Sequence, residues 1–400
     1  MLEVHEAQKV LLDAVRTLPS SAVSLADALG RTLAERVVAD RDFPPTDRSA
    51  MDGYAVRAED CKTEGASLAV AAEIRAGQDA AGVRVGAGEA VRIFTGGVMP
   101  DGADAVVMIE QVDEDRAAGT VLIRERVESG HNVRRRGEDR RAGTEVLAHG
   151  ATVRAAEIAA LAAVGRTEVS VVRAPLAAVI STGDEVVTSA TVPHLHQIRD
   201  SNARMLLAQF RSLDVAARDL GIAGDEAAGL LAAIREGLAA DVLVLSGGVS
   251  VGAYDLVERS LRDAGCEILF HSVSMRPGKP LLAARSGTCL VFGLPGNPVS
   301  AFTCFRLFVV PAVRKLMGFA DPIEPSVRAT LTAALRRRPG RLTYHLANVR
   351  FRDGIPVVAP VESVSSGDVL SLSRANAFIV AEGDARPIPE GTDVDVLPWD

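Results

Sequence analysis

Four short segments of this chain combine residue types that bind anions and metal ions. They are Ser-Thr-Gly-Asp-Glu (181–185), Ser-Gly-Gly-Val-Ser-Val-Gly (246–252), Met-Arg-Pro-Gly-Lys-Pro (275–280) and Gly-Leu-Pro-Gly-Asn-Pro (293–298). Each follows an apolar run typical of a buried strand. In an open α/β sheet, ligands bind beyond the carboxyl ends of the strands. The shared position of the four segments therefore predicts one ligand site at one edge of a sheet, whereas any single segment is weak evidence.

The glycine-rich segment after Leu245 can present backbone N–H groups to an anion. The chain contains neither the GxxxxGK[ST] phosphate loop nor a GxGxxG dinucleotide fingerprint. An ordinary strand-to-helix turn is the alternative interpretation of these glycines. A nucleotide-sugar or NAD enzyme is disfavoured because its fingerprints are missing.

Lys279 is notable because only four of the 44 basic residues are lysines, and this one lies between two prolines and a glycine. A compact ammonium suits a phosphate or another oxyanion. The alternative is a lysine left on the surface, which the rigid Pro-Gly-Lys-Pro context disfavours.

Carboxylates also occur in the region of these four segments, and they predict a Mg²⁺ site. Asp184, Glu185 and Asp255 follow predicted strands, and oxygen ligands of this kind suit Mg²⁺ that also contacts substrate phosphates. For Asp184 and Glu185, the sequence supports a role as Mg²⁺ ligands and a purely structural role about equally. Asp225 stands at a predicted helix start, and on sequence alone a helix N-cap is the better interpretation of it.

The elements that must position these segments predict an α/β fold. From residue 175 onward, apolar strands alternate with helices, which indicates a mainly parallel sheet covered on both faces. The predicted helices cover residues 201–210, 225–238, 254–264 and 299–317, and the first helix of the chain, with apolar residues at helical spacing, runs to Leu18. Ser24 and Ser201 are the predicted caps of their helices.

The rest of the chain predicts further domains. Between residues 47 and 138, short apolar runs separated by Gly, Asp and Pro indicate a β-rich domain. Short valine-containing runs and turns after residue 322 indicate a second β domain. The predicted division is an N-terminal helix (1–20), a linker domain (21–46 and 139–174), an inserted β-rich domain (47–138), the α/β domain (175–321) and a C-terminal β domain (322–400).

Composition excludes several protein classes. The chain has 400 residues, a net charge of −8 and 4% aromatic residues, so neither a polyanion nor a single-stranded nucleic acid is an expected partner. The N-terminus has no basic and apolar leader pattern, and Pro295 and Pro298 interrupt the longest uncharged window. We therefore expect a cytoplasmic protein without a membrane span, whose four cysteines are reduced thiols.

Eight motifs in order resemble the molybdopterin molybdenumtransferases of the MoeA type, a family that includes the E domain of gephyrin. They are Ser-Ala-Met-Asp-Gly-Tyr-Ala, Thr-Gly-Gly, Arg-Arg-Arg-Gly-Glu-Asp, Ser-Thr-Gly-Asp-Glu, Asp-Ser-Asn, Ser-Gly-Gly-Val-Ser-Val-Gly, Pro-Gly-Lys-Pro and Leu-Pro-Gly-Asn-Pro-Val-Ser. The resemblance runs nearly from end to end and implies a four-part architecture.

The resemblance implies an elongated homodimer that inserts molybdate into adenylated molybdopterin, with Mg²⁺-dependent loss of AMP. It also implies that the enzyme that adenylates molybdopterin is a partner. The catalytic residues it implies are Asp52, Thr95, Asp139, Glu185, Asp225, Asp255 and Lys279. The implied positions around the bound pterin are Ser181, Thr182, Gly183, Asp184, Ser246, Gly247, Gly248, Ser250, Gly252, Pro295, Gly296, Asn297 and Pro298.

The molybdate dianion needs cationic and hydroxyl partners, and Arg276, Lys279 and Ser300 are the candidates. Three departures from the family pattern affect this expectation. Arg276 stands where the family often has lysine, Tyr344-His345-Leu346 replaces Phe-x-Arg, and Val364-Ser365-Ser366-Gly367 replaces Gln-Gly-Ser-Gly. Leu346 puts the family's arginine contact to molybdate in doubt, and Ser366 and Ser371 are weak candidates.

Two other functions compete with molybdate insertion. A molybdopterin adenylyltransferase shares a related α/β domain, but both β-rich regions of this chain favour insertion. A gephyrin-like scaffold is a third possibility, which the missing long linker and missing additional domains disfavour. The sequence does not distinguish molybdate from tungstate, since both are tetrahedral dianions of similar size.

Overall fold

The computed structural model describes residues 1–248 and 256–399. The chain divides into two compact units. The first comprises residues 1–34, 150–154 and 169–400, and the second comprises residues 35–149 and 155–168. No helix in the described part of the chain is both long and apolar enough to span a bilayer.

A six-stranded sheet with four parallel strands forms the centre of the first unit, as predicted. Its strands, in spatial order, are Ala216–Ala223, Leu176–Thr182, Val242–Ser246, Cys289–Leu294, Leu282–Ser286 and Glu267–His271. The last two strands run antiparallel to their neighbours. The helices of this unit are Val4–Ala14, Asn202–Ser212, Ala227–Gly237, Leu256–Asp263, Pro298–Cys304 and Val310–Leu316.

Both faces of this sheet are buried, which explains its continuous apolar strands. Side chains alternate between the faces along a strand. Val242 and Val244 accordingly pack in one apolar cluster, and Leu243 and Leu245 pack in the other. The strands were therefore recognisable as apolar runs rather than as alternating patterns.

The C-terminal strands of the first unit form a second sheet that returns on itself. Leu342–Arg352 pairs with both Ile355–Pro360 and Ala377–Ala381, while Val327–Leu331 and Asp393–Pro398 complete the ring. The short strand Met275–Arg276 pairs in parallel with the first of these strands. A short helix, Val369–Leu372, lies between two of the strands. The sheet register therefore joins the 275–280 segment to the C-terminal region.

The remaining short elements of the first unit flank these sheets. They are the strands Ser20–Ser24, Glu168–Val172, Val186–Val187 and Ile198–Arg199, and the 3-10 helix Leu25–Asp27. The Ser24 side chain accepts a hydrogen bond from the Asp27 N–H, so the predicted cap at Ser24 is confirmed.

The second unit is β-rich and is built around another six-stranded sheet. In spatial order its strands are Ala105–Met108, Gly53–Val56, Glu89–Ile93, Ala66–Ile74, Thr120–Ile123 and Val112–Asp115. The unit also contains two separate two-stranded sheets. They pair Arg48–Ser49 with Val133–Arg134 and Val37–Val38 with Glu145–Leu147. The 3-10 helices Ala58–Cys61 and Ile109–Gln111 and the helix Ala155–Ala163 complete the unit.

Two predicted helices differ from expectation. The first helix ends at Ala14 rather than Leu18, because Val15 is extended and the Leu12 carbonyl accepts hydrogen bonds from the Val15 N–H and Lys315 Nζ. The predicted helix over 299–317 contains a π-turn, Phe305–Val309. Pro311 has no N–H to donate to this turn, and the Leu307 carbonyl accepts a hydrogen bond from Gln8 Nε2 instead, at 2.8 Å.

Candidate functional site

Three of the four predicted loops meet at the carboxyl edge of the central sheet. The register pairs Ser181 with Ser246 and Ser246 with Leu294, so the three parallel strands end side by side. The Gly247 N–H donates to the Leu294 carbonyl at 3.0 Å. The chain therefore brings together the segments that begin at residues 181, 246 and 293.

Glycine is required at two of these positions because backbones approach closely. Gly247 has a φ of +103°, and a Cβ there would lie 2.7 Å from the Thr182 carbonyl oxygen. Gly248 has a φ of +67°, and its Cβ would lie 2.8 Å from a methyl group of Val257. Neither contact is tolerable without movement of neighbouring atoms, so glycine at both positions permits this loop to lie close to Thr182 and Val257.

Asn202 joins two of the loops. Its Nδ2 donates to Ser246 Oγ and to the Gly296 carbonyl, both at 2.8 Å. The side chain of Asp200 accepts a hydrogen bond from the Ala203 N–H at 2.9 Å and so caps the helix Asn202–Ser212. Ser201 stands at the N-cap position, as predicted, but its side chain makes no capping hydrogen bond.

Two polar atoms at this edge are buried and have no hydrogen-bond partner in the described part of the chain. They are Ser181 Oγ and Asn202 Oδ1, and both residues are less than a tenth exposed. Buried polar atoms in native proteins nearly always have a partner. A ligand with hydrogen-bonding groups, such as a pterin, could satisfy both atoms.

The carboxylates of Asp184 and Glu185, which follow the strand Leu176–Thr182, are exposed. Asp184 Oδ1 accepts a hydrogen bond from the Asp225 N–H at 3.0 Å, which ties two predicted site residues together. A Cβ at Gly183 would lie 2.4 Å from Glu185 Oε2, so glycine there leaves room for that carboxylate. The N-cap interpretation of Asp225 is wrong, because the helix Ala227–Gly237 has Glu226 at its N-cap.

The predicted Mg²⁺ ligands are described only in part. Asp255 lies outside the described residues, and so do Ser250 and Gly252, which were predicted to lie around the pterin. Within residues 1–248 and 256–399, no group of three or more His, Cys, Asp or Glu side chains has the arrangement of a metal site. Asp184 and Glu185 nevertheless have the donor chemistry of Mg²⁺, which commonly takes one or two protein carboxylates together with substrate phosphates and water.

The backbone holds Lys279 in a fixed loop. Its carbonyl accepts hydrogen bonds from the N–H groups of Val273 and Leu281, and its side chain is exposed. In the described part of the chain, no carboxylate forms an ion pair with the Lys279 ammonium. The charge is thus available to an anion.

Lys279 and Ser300 belong to segments that touch. The Gly278 carbonyl lies 3.5 Å from Cys304 Sγ, and a Cβ at Gly278 would be 3.6 Å from the Ser300 carbonyl. Ser300 itself is buried in the helix Pro298–Cys304.

The loop at residues 293–298 contacts the serine-rich segment of the C-terminal region. Asn297 Nδ2 donates to Ser366 Oγ at 3.0 Å, and the Val299 N–H donates to the Ser366 carbonyl. Ser371 is fully buried, and its hydroxyl donates to the Asp368 carbonyl at 2.6 Å. Ser366 therefore borders the loop at Asn297, whereas Ser371 stabilises its own turn. Pro295 is buried in this loop and Pro298 begins the helix that follows.

The second unit contains the other three implied catalytic residues. Asp52 Oδ1 accepts hydrogen bonds from the backbone N–H and the hydroxyl of Thr95, both at 2.7 Å. These bonds, first that from the N–H, hold the pKa of Asp52 below its ordinary value. Asp139 is exposed and pairs with Arg134 at 2.5 Å. Asp52 and Thr95 thus form one local cluster, and Asp139 forms an ion pair of its own.

Sequence reasoning placed the loops but not the side chains that join them. Asn202 and Asp200 were noted only as part of a motif. Asn202 joins two of the loops, and Asp200 caps the helix that follows. A polar triplet directly before a helix and after a strand was the available signal.

Comparisons with known proteins agree along the whole chain. Residues 2–165 match the MoeA N-terminal region (domain I and II), residues 178–315 match the probable molybdopterin binding domain, and residues 328–399 match the MoeA C-terminal region (domain IV). The roles of the individual site residues stay predictions.

Two curated relatives and one solved structure illustrate the similarity. The molybdopterin molybdenumtransferase of Bacillus subtilis (strain 168) is 36% identical over 94% of this chain and 89% of its own length. The molybdopterin molybdenumtransferase of Nostoc sp. is 39% identical over 99% of this chain and 94% of its own length. The molybdopterin biosynthesis moeA protein from Pyrococcus horikoshii OT3 superposes with a TM-score of 0.85 at 28% identity, over 100% of both chains. Matches of this extent and identity show that the chain belongs to the molybdopterin molybdenumtransferase family of the MoeA type.

Proposed function

We propose that this chain inserts molybdate into adenylated molybdopterin, with Mg²⁺-dependent release of AMP, to form molybdenum cofactor. The names of its relatives support the transferase activity. The single structural observation that carries the proposal is the arrangement of polar groups at the sheet edge. There, Asn202 bridges two loops, while Asn202 Oδ1 and Ser181 Oγ are buried and find no partner among residues 1–248 and 256–399.

The residues at this edge would position the substrate. Ser181 Oγ and Asn202 Oδ1 offer hydrogen bonds to a pterin, and Gly247 and Gly248 leave room for it beside Thr182. Breaking a phosphoanhydride depends mostly on positioning and on neutralising charge. The Lys279 ammonium supplies positive charge for a phosphate or a molybdate oxygen.

Asp184 and Glu185 are the described residues that would hold Mg²⁺. The bound cation would neutralise phosphate charge as AMP leaves. The Glu185→Gln substitution keeps the shape of the side chain and removes its charge. We expect slower AMP release and a higher Mg²⁺ requirement, and an unchanged rate and Mg²⁺ dependence would remove Glu185 from this role.

The quaternary structure, partner and compartment belong to the same proposal. We propose a homodimer, the form implied by the family resemblance. The enzyme that adenylates molybdopterin must supply the substrate, so we propose it as a partner, and the cytoplasm as the compartment of both. Co-purification of the two enzymes and transfer of the adenylated pterin between them would test the partnership.

Incubation of the purified protein with adenylated molybdopterin, Mg²⁺ and molybdate tests the function directly. We expect AMP release together with formation of molybdenum cofactor. The alternative, adenylation of molybdopterin, has less support because the matched regions at both ends of the chain are MoeA regions. Consumption of ATP and molybdopterin, with no insertion of molybdate, would favour that alternative.

A further inference from the structure

The Thr-Gly-Gly motif at residues 95–97 forms a tight turn in the second unit. The Gly97 N–H donates to the Phe94 carbonyl at 2.8 Å, and Gly96 has a φ of +80°. A type II turn requires a positive φ at its third position, and glycine adopts that conformation without strain. The motif therefore has the residues that fix the backbone around Thr95.

The segment before the strand Gly53–Val56 holds this turn through its backbone. The Ser49 carbonyl accepts a hydrogen bond from the Gly96 N–H at 2.8 Å, and the Ser49 N–H donates to the Gly97 carbonyl at 2.9 Å. These two bonds join the Thr-Gly-Gly motif to the Ser-Ala-Met-Asp-Gly-Tyr-Ala motif. The two motifs therefore form one structural piece.

Two charged side chains of the same segment bind opposite ends of the dipeptide Thr95-Gly96. Asp52 Oδ1 accepts hydrogen bonds from the N–H and the hydroxyl of Thr95, both at 2.7 Å. Arg48 Nη1 donates to the Gly96 carbonyl at 3.2 Å. A carboxylate thus faces the donors of the dipeptide, and a guanidinium faces its acceptor. Hydrogen bonds with one charged partner are stronger than neutral ones.

Arg48 differs from the arginines around it in having a backbone carbonyl as its partner. Arg134, Arg135 and Arg136 follow Val133, which pairs with Ser49, and each of them forms an ion pair with an aspartate. Arg48 is only partly exposed, and it forms no ion pair with a carboxylate of the described residues. Its guanidinium therefore serves the turn rather than a neighbouring acid.

This arrangement determines which oxygen of the Asp52 carboxylate is free. Both bonds from Thr95 go to Oδ1, and Oδ2 accepts no hydrogen bond from any residue in the ranges 1–248 and 256–399. Asp52 is exposed. Oδ2 is therefore the oxygen that a substrate can reach.

We propose that Arg48 is a positioning residue for Asp52. Its guanidinium holds the Gly96 carbonyl and so keeps the turn in the orientation in which both Thr95 donors reach Oδ1 and Oδ2 stays free. The consequence for turnover rests on the proposed function and on the catalytic role predicted for Asp52. Arg48 acts through the turn and not on the substrate.

Hydrogen exchange of the turn, measured by mass spectrometry on the resting protein, tests this role without turnover. Arg48→Met keeps an apolar stem and removes the hydrogen bond. We expect the amides of residues 95–97 to exchange about tenfold faster in this variant, with folding verified by circular dichroism. Arg48→Lys should restore part of the protection, because lysine still donates a hydrogen bond. Arg57→Met is the matched control, since Arg57 is a partly exposed arginine of the same unit that pairs with Asp60, and it should leave the exchange unchanged.

Rates of molybdate insertion distinguish positioning of Asp52 from a merely structural role. We expect Arg48→Met to lower the rate about tenfold, and to lower the residual rate of Asp52→Ala no further, because residues that act as a unit are not additive. Equal fold losses in the two backgrounds would overturn the proposal. Unchanged exchange of residues 95–97 in Arg48→Met would also overturn it.

The two measurements separate this proposal from the proposed function. Faster exchange in Arg48→Met, with no molybdate insertion by the unaltered protein, would refute the proposed function and support the hold of Arg48 on the turn. Insertion at the unaltered rate in Arg48→Met would overturn the positioning role and leave the proposed function standing.

Discussion

Lys279 carries the positive charge on which the proposed reaction depends most. Its ammonium is exposed on a loop that two backbone hydrogen bonds hold in place. A hydrogen bond to a charged group is worth about 1.5–3 kcal/mol. We therefore expect Lys279→Ala to lower the rate of molybdate insertion by roughly tenfold or more, measured as cofactor formed per unit time.

Lys279→Arg should also be impaired, because a planar guanidinium does not reproduce the position of a point charge. Lys62→Ala is the matched control, since Lys62 is an exposed lysine of the other unit. Full activity in the arginine variant would refute the geometric part of this prediction. Full activity in the alanine variant would remove Lys279 from the site.

Individual side-chain roles were the hardest feature to predict. Asp225 has the residue type of an N-cap, but its N–H is bound to the Asp184 carboxylate and the helix begins two residues later. Asp200 caps the helix that Ser201 was expected to cap. The Asp225 contact joins segments 41 residues apart, which local residue preference does not contain. The Asp200 cap is a local bond, three residues apart, that shifts the capping side chain by one residue.

The loop after Val242–Ser246 depends on having no side chain at Gly247. A Cβ there would lie 2.7 Å from the backbone oxygen of Thr182, and φ is +103°. We expect Gly247→Ala to displace this loop and to lower activity by at least tenfold, while thermal unfolding stays cooperative.

Gly265→Ala is the control for backbone strain alone, because Gly265 has a φ of +84° and nothing lies within 4 Å of its Cβ position. It should lose some stability and keep its activity. Equal loss of activity in the two variants would show that strain, rather than the close approach to Thr182, explains the effect.

Asp241 fixes the beginning of the central strands. Its carboxylate accepts two hydrogen bonds from Arg173, at 2.6 and 2.7 Å, and one from the Leu176 N–H. Burial opposes ionisation, but these hydrogen bonds outweigh it and lower the pKa of Asp241. We expect Asp241→Asn to lower the free energy of unfolding by about 1.5–3 kcal/mol at pH 7, measured by urea denaturation.

The pH dependence of this effect follows from the direction of the shift. A lowered carboxyl pKa stabilises the fold above the unfolded value of about 3.9, and that stabilisation is lost as the pH falls through the folded value. The difference between the two proteins should therefore shrink in acid. Asp13→Asn, which removes an exposed ion pair with Lys9, should change stability little at any pH. A difference that persists at low pH would contradict this explanation.

Strands and helices were largely predictable, because apolar runs and helical spacing follow directly from burial on two faces of a sheet. The π-turn at Phe305–Val309 was not, although Pro311 marks its position. The carbonyl of Leu307 depends on Gln8, far away in the sequence. Such compensation is visible only once the fold has brought the two segments together.

At the scale of the whole molecule, the sequence indicated separate domains, and the structure resolves two compact units. The finer five-part division stays a prediction. Its boundaries were inferred from changes in composition, whereas pairing of Met275–Arg276 with Leu342–Arg352 joins the 275–280 segment to the C-terminal sheet. A pairing between strands so distant in sequence has no local signal.

The proposed homodimer predicts complementation between inactive subunits. Asp52 lies in the second unit and Lys279 in the first, and the family resemblance implies that they act together across subunits. Mixed dimers of Asp52→Ala and Lys279→Ala should recover part of the activity, because half of their sites would lack both substitutions. Verified mixed dimers with no activity would contradict a shared site.

The stoichiometry of AMP release and molybdenum incorporation is the most direct test of the proposed reaction. Purified protein is incubated with adenylated molybdopterin and Mg²⁺, with and without molybdate, and AMP and pterin-bound molybdenum are both quantified. We predict one AMP released for each molybdenum incorporated, with negligible AMP when molybdate is omitted. Equal AMP release with and without molybdate, and no molybdenum in the pterin product, would contradict it.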